Sequence, residues 1–194
     1  MIKYNNINKF LNRIKNLIID PKNEWIKIDK ESMSRKKTFK EFVLPFALIC
    51  SILVFAGQII EEDIITSFKY FSVNLITIFA GIYCSLLILK EITTSNKAIC
   101  DTDCDKMIIY ASAIFFLFHS VAHFFSEGSI IRSLLILGQF SCIIPIWNGI
   151  GTIIKIDRSN KTVYTIIITV LITLLPSIFE QLFSILFNIQ IASI

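Results

Sequence analysis

Residues 70–89 read YFSVNLITIFAGIYCSLLIL, twenty positions without one Lys, Arg, Asp or Glu. At about 1.5 Å of rise per residue, a helix of this length reaches roughly 30 Å, the thickness of the hydrocarbon layer of a bilayer. The stretch is rich in Ile and Phe, which suit strands in water, but no alternation of polar and apolar residues persists through it. In lipid the backbone must satisfy its own hydrogen bonds, so such a run is read as a helix rather than a barrel strand. Residues 42–60, 107–125 and 133–154 are equally free of charge, and residues 162–189 are interrupted only by Glu180. The predicted fold is therefore all-α: a polytopic membrane helical bundle with five transmembrane helices in residues 42–194, behind a basic N-terminal segment, residues 1–41.

Composition agrees with that reading. Apolar residues make up 54% of the chain, and the mean hydropathy is +0.68. Of the 34 charged residues (19 basic and 15 acidic), 16 lie in the first 41 positions and the other 18 are bunched between the apolar blocks. These features exclude a disordered chain, a disulfide-stapled secreted domain and an ordinary soluble enzyme. The first apolar run begins far from Met1 and has no small-residue cleavage pattern after it, so it is expected to be an uncleaved span.

Lys and Arg set the expected orientation. Eleven precede Phe42; if that end is cytoplasmic, the second and fourth connections add Lys90, Lys97, Lys106, Lys155, Arg158 and Lys161, while the opposite side receives only Lys69 and Arg132. A division of 17 against 2 predicts a cytoplasmic N-terminus and, with five spans, a C-terminus outside.

Within residues 1–41, Ile7, Phe10, Leu11, Ile14, Leu17 and Ile18 recur at spacings of three and four, and Lys9, Asn12, Arg13, Lys15 and Asn16 fill the other faces. This is a basic amphipathic helix, suited to lie at the membrane surface or to dock on the bundle. Phe10, Leu11, Ile14 and Leu17 are its expected interface anchors. Asp20 and Pro21 then read as an N-cap and first helical residue of a short second helix. Its Trp25 is expected to anchor at the interface, the ring buried and the indole N–H among headgroups. Residues 30–40 read as a polar, basic linker.

The amphipathic start, the run Asp20-Pro21-Lys22-Asn23-Glu24-Trp25, the basic linker, Pro45 near the start of the first span and five spans in all resemble the bacterial branch of the Yip1-domain family. The fourth span, with Ile144-Pro145-Ile146-Trp147-Asn148-Gly149, is similar to that family's penultimate helix. The resemblance covers residues 7–190. It implies a five-span protein of the bacterial inner membrane with membrane-organising or transport-accessory roles. The family's Asp-Leu-Tyr-Gly-Pro type signature is absent, and the third span, Tyr110-Ala111-Ser112-Ala113, lacks the proline that often follows this tyrosine, so the vesicle-forming role of eukaryotic members is not carried over.

Chemistry has few candidates. His119 and His123 stand four apart on one helical face, the spacing by which two imidazoles hold one metal ion. Glu180 is the obvious third group: counted from the basic side it lies at roughly 27 Å, against roughly 18 and 24 Å for the histidines. The His-Glu-x-x-His pattern of metalloproteases is missing. The plain alternative is three groups near the far interface, hydrogen-bonded to neighbours. Cys100 and Cys104, with Asp101, Asp103 and Asp105, give a C-x3-C pair without a second pair, a weak metal signal. Cys50, Cys84 and Cys142 lie inside spans as small apolar residues. Gln58, Asn74, Gln139, Asn148 and Gln181 are expected to turn inward and bond between helices. Gly149 and Gly151 end a span with no strand before them, so they form no nucleotide loop.

The expected function is non-enzymatic: a membrane component that organises lipid or protein partners through its N-terminal segment, with no cofactor and no nucleic acid. Its partners are the lipid bilayer and itself or other membrane proteins. The alternative is a small transporter or channel subunit that uses the polar groups near His119, His123 and Glu180. A metal-dependent intramembrane enzyme ranks last.

Overall fold

The computed structural model describes residues 4–31, 34–93, 101–126, 128–154 and 158–189. Lys3, Lys97, Cys100 and Lys155 lie outside the described residues. Helix α1 (Tyr4–Ile19) and helix α2 (Pro21–Asp29) precede five helices long and apolar enough to cross a membrane: Arg35–Gln58, Ile64–Thr93, Thr102–Ala122, Ile130–Ile154 and Asn160–Leu186. No strand occurs among the described residues.

The first span begins earlier than its charge-free block. Its helix starts at Arg35, where the Ser34 hydroxyl accepts from the Lys37 N–H at 3.4 Å. The basic linker is thus helical from Arg35 onward, and the boundary drawn between residues 41 and 42 falls inside a continuous helix. A π-helical turn, Phe39–Val43, precedes Pro45. Proline has no N–H and crowds the carbonyl four residues back, so a widened turn accommodates it without ending the helix. The second span likewise starts at Ile64, six residues before Tyr70, because Asp63 caps it: its carboxylate accepts from the N–H groups of Ile65 at 3.0 Å and Thr66 at 3.4 Å. The bond from the Thr66 hydroxyl and those two N–H groups outweigh the opposing effect of burial and hold the Asp63 carboxyl below its ordinary range. A charge-free window finds lipid-facing length; caps decide where the helix begins.

The third span is the spine of the bundle. Within its apolar window 78% of residues are buried, against 17% for the fourth span. It is also the least apolar of the five, carrying Ser112, His119 and Ser120 beside Ala111 and Ala113. A helix surrounded by protein meets little lipid and tolerates polar groups, while small residues let its neighbours approach. The fourth span is the opposite case, exposing Ile130, Leu134, Leu137 and Ile144. The second span packs lengthwise between the first and the fifth. Asn74 donates to the Ser51 hydroxyl at 3.1 Å on the first, and the Ser85 hydroxyl donates to the Leu171 carbonyl at 3.1 Å on the fifth.

Gln58, Asn74 and Gln139 are buried as expected. Asn148 instead donates to the Ile144 carbonyl of its own helix at 2.9 Å, and Gln181 is exposed near the end of the fifth span. A helix interior offers a free carbonyl lone pair to a short amide, so no partner helix is needed. The fifth span ends with Asn188 at φ +52°, the Ile189 N–H returning to the Ser184 carbonyl at 2.9 Å and the Asn188 N–H to the Ile185 carbonyl at 3.1 Å. Asparagine tolerates this left-handed position, which closes the helix's last carbonyls.

Gly149 sets how closely α2 meets the fourth span. A Cβ there would lie 2.5 Å from Met107 Sδ and 2.8 Å from Trp25 Cε2, with Trp25 and Met107 both fully buried. Gly149→Ala is expected to cost about 1–3 kcal/mol through overpacking. Trp25 emission, read in a Trp147→Phe background, should shift to the red as the ring is pushed from its seat.

Candidate functional site

The described residues gather polar chemistry at both ends of the bundle. At the N-terminal end, the apolar stripe of α1 is consumed by the protein itself. Phe10, Ile14 and Leu17 are buried, and the Phe10 ring lies 5.1 Å from that of Phe42 and 6.0 Å from that of Phe46. Of the four anchors expected in α1 only Leu11 remains half exposed, with Ile18 and Ile19 beside it. Trp25 departs from its expected place. It is 0% exposed, its indole N–H donates to the Pro145 carbonyl at 2.8 Å, and Tyr110 meets it edge-on at 6.3 Å. The indole is therefore a wedge between the third and fourth spans rather than a headgroup anchor. A buried indole needs one acceptor, and a helix carbonyl with a spare lone pair supplies it as well as a headgroup does.

Arg13 holds this dock shut. Sequence pattern puts it on the polar face of α1, yet its side chain is only 8% exposed. Its Nε donates to Glu24 at 3.3 Å and its Nη1 donates to Glu31 at 2.8 Å and to the Tyr110 hydroxyl at 3.0 Å. The guanidinium carbon also stands 5.3 Å from the centroid of the Tyr110 ring. Glu24, buried as well, accepts further from Asn16 at 3.0 Å and Lys27 at 3.1 Å. Burial works against the Arg13 charge, but Glu31 and Tyr110 more than offset it and hold the guanidinium charged above its ordinary range. Two more ties join this region to the start of the third span. Arg35 forms a two-pronged pair with Asp105, its Nε at 2.6 Å, and Lys106 donates to the Asp29 carbonyl at 3.2 Å. A polar cleft of about 480 Å³ opens along this network, lined by Asn12, Arg13, Asn16, Glu24, Lys27 and Glu31.

The outer surface of the dock is cationic. Lys15, Lys22, Lys27, Lys30, Lys36, Lys37 and Lys40 are all exposed, and Lys15 borders the apolar edge of Leu11, Ile18 and Ile19.

At the other end, the three residues picked out by depth and spacing do meet. His119 Nε2 lies 3.2 Å from Glu180 Oε1, the two imidazoles stand edge-to-face at 5.2 Å, and one ligand atom from each of His119, His123 and Glu180 falls within 4.8 Å of the others. Phe115 stacks on the other side of His119 at 6.2 Å, and Tyr70 lies 6.3 Å from His123. Gln58, at the end of the first span, is hydrogen-bonded through its amide to His123 Nδ1 at 2.9 Å. Gly57 makes that bond reachable, since a Cβ there would stand 2.4 Å from the His123 carbonyl oxygen. Gln58 is legible in the sequence as a polar residue that must turn inward; Gly57 and Tyr70 carry no sequence signal that links them to the histidines. Arg132, in the fourth span, donates to the Phe125 carbonyl at 3.4 Å.

The remaining candidates stay apart. Cys104 is buried against Thr93 at 3.8 Å, Cys50 and Cys142 are buried in their spans, and Cys100 is outside the described residues. Trp147 is partly exposed beneath Lys161, whose Nζ lies 4.1 Å from its ring centroid.

No protein-family model, curated protein or solved structure matches the chain.

Two substitutions probe these ends. Arg13→Ala leaves Glu24 buried with less compensation and is expected to destabilise the dock by about 3 kcal/mol or more. It should open α1 to protease while the spans stay protected, and Arg13→Lys should restore only part of the protection because it lacks the planar fork. Gly57→Ala must push against backbone, so it should separate Gln58 from His123 and alter the His123 ring resonances in an NMR spectrum of the purified protein.

Proposed function

We propose that this chain is a non-enzymatic integral membrane protein of Yip1-like type, seated in a bacterial inner membrane with its N-terminus cytoplasmic. Its docked N-terminal helices act as a fixed cationic platform that gathers anionic lipid headgroups. The reading is supported above all by the way Arg13 is spent: one buried cation ties α1 and α2 to the third span, so the surrounding lysines are turned outward on a rigid support. The apolar stripe of α1 is largely occupied by Phe42, Phe46 and their neighbours, which favours lipid headgroups over a partner helix laid along that stripe. The exposed edge of Leu11, Ile18 and Ile19 beside Lys15 suits the boundary between acyl chains and headgroups. Each lysine near an anionic surface contributes about 1 kcal/mol, so several together retain headgroups at physiological salt. The Lys and Arg asymmetry of the connections supports the same orientation, with the platform on the cytoplasmic face.

The test is the lipid that accompanies the protein out of the membrane in mild detergent. The variant Lys22→Gln/Lys30→Gln/Lys36→Gln/Lys37→Gln leaves Arg13 and its partners in place, so it should fold normally and lose most of its co-purified anionic lipid, as read by mass spectrometry. A lipid complement identical to that of the parent protein would overturn the proposal.

A further inference from the structure

We propose that His119, His123 and Glu180 bind one divalent first-row transition-metal ion of the zinc type, clamping the third and fifth spans together at the end of the bundle opposite the N-terminal helices. The claim is independent of the lipid platform, and it rests on the donor set, its spacing, its support and its access.

Two imidazoles and one carboxylate are a three-ligand set that leaves a fourth tetrahedral position open. Nitrogen-rich sites of this kind suit zinc and its transition-metal neighbours rather than magnesium or calcium, which take oxygen ligands. Bonds of about 2.0–2.1 Å place tetrahedral ligand atoms ~3.3 Å apart. His119 Nε2 and Glu180 Oε1 already stand 3.2 Å apart, and the widest separation among the three ligand atoms, 4.8 Å, needs to close by no more than about 1.5 Å. Rotation of partly exposed side chains covers that distance.

An ion pair accounts for His119 and Glu180, and the Gln58 bond engages only Nδ1 of His123. Two imidazoles at 5.2 Å would repel if both were protonated, whereas a metal ion between their nitrogens uses both in the neutral form. The Gln58 amide nitrogen faces His123 Nδ1 at 2.9 Å, and metal binding turns the amide over: its oxygen then accepts from Nδ1–H, the outer support that fixes the ring and leaves the Nε2 lone pair for the ion. Gly57 brings this support within reach, so the first span also contributes to the site. Access is available because the His119 and Glu180 side chains are 19% and 28% exposed and His123 follows the last helical residue of its span, Ala122.

The experiment titrates zinc into the full-length protein purified in detergent and stripped with chelator, with metal content after desalting as the readout. Cobalt substituted for zinc reports the ligand geometry by its visible absorption. One ion per chain is expected, with a tetrahedral cobalt spectrum. His123→Gln and Glu180→Gln should each abolish stoichiometric binding. Gln58→Leu should weaken it about 10- to 100-fold while leaving all three ligands in place. Failure of the parent protein to retain zinc would overturn the proposal, as would undiminished binding in the variant His119→Gln/His123→Gln/Glu180→Gln.

Discussion

The burial of the Arg13 guanidinium is the constraint on which the N-terminal half of the structure depends. A charge removed from water must be matched by charge and by hydrogen bonds, and Arg13 obtains both from three separate pieces of chain: Glu24 in α2, Glu31 just after it, and Tyr110 in the third span. No one of these elements can leave without exposing the mismatch. Leu17, Trp25 and Ile28 then fill the apolar space beneath, each at 0% exposure. Dispersion and burial supply the attraction, and the ion network supplies the registry between α1, α2 and the spine.

The same spine explains why polar chemistry sits at both ends. The third span is mostly enclosed by its neighbours, so it carries Tyr110 near its middle and His119 near its far end, with His123 just beyond the last helical residue. Each end recruits glycine where another chain must come within contact distance: Gly149 beside Trp25 and Met107, Gly57 beside the His123 backbone. The fourth span holds little of this chemistry. It is apolar outward, and inward it supplies Cys142, Ile146 and Ile150 to the core and the Pro145 carbonyl that receives Trp25.

Together the two ends suggest a division of labour: a cationic surface set by α1 and α2, and a compact nitrogen and oxygen donor group where the first, third and fifth spans meet. Apart from Lys30 and His123, each just past the end of its helix, both groups are carried by helical residues rather than loops, an arrangement that fixes geometry closely.

Five spans, their approximate limits and the basic amphipathic start follow from the sequence alone, because charge-free length against hydrocarbon thickness is a local property. Depth counting even placed His119, His123 and Glu180 at compatible levels. Helix packing was not legible there. Whether the third and fifth spans touch, whether Trp25 points to headgroups or to Pro145, and whether Arg13 faces water or Glu24 are all rotations about helix axes, and period and composition leave such rotations degenerate when every face is apolar enough for lipid. Only the assembled bundle decided them: the buried charges of Arg13 and Glu24 and the Trp25 indole N–H each had to find a partner, and this arrangement of the helices provides all of them.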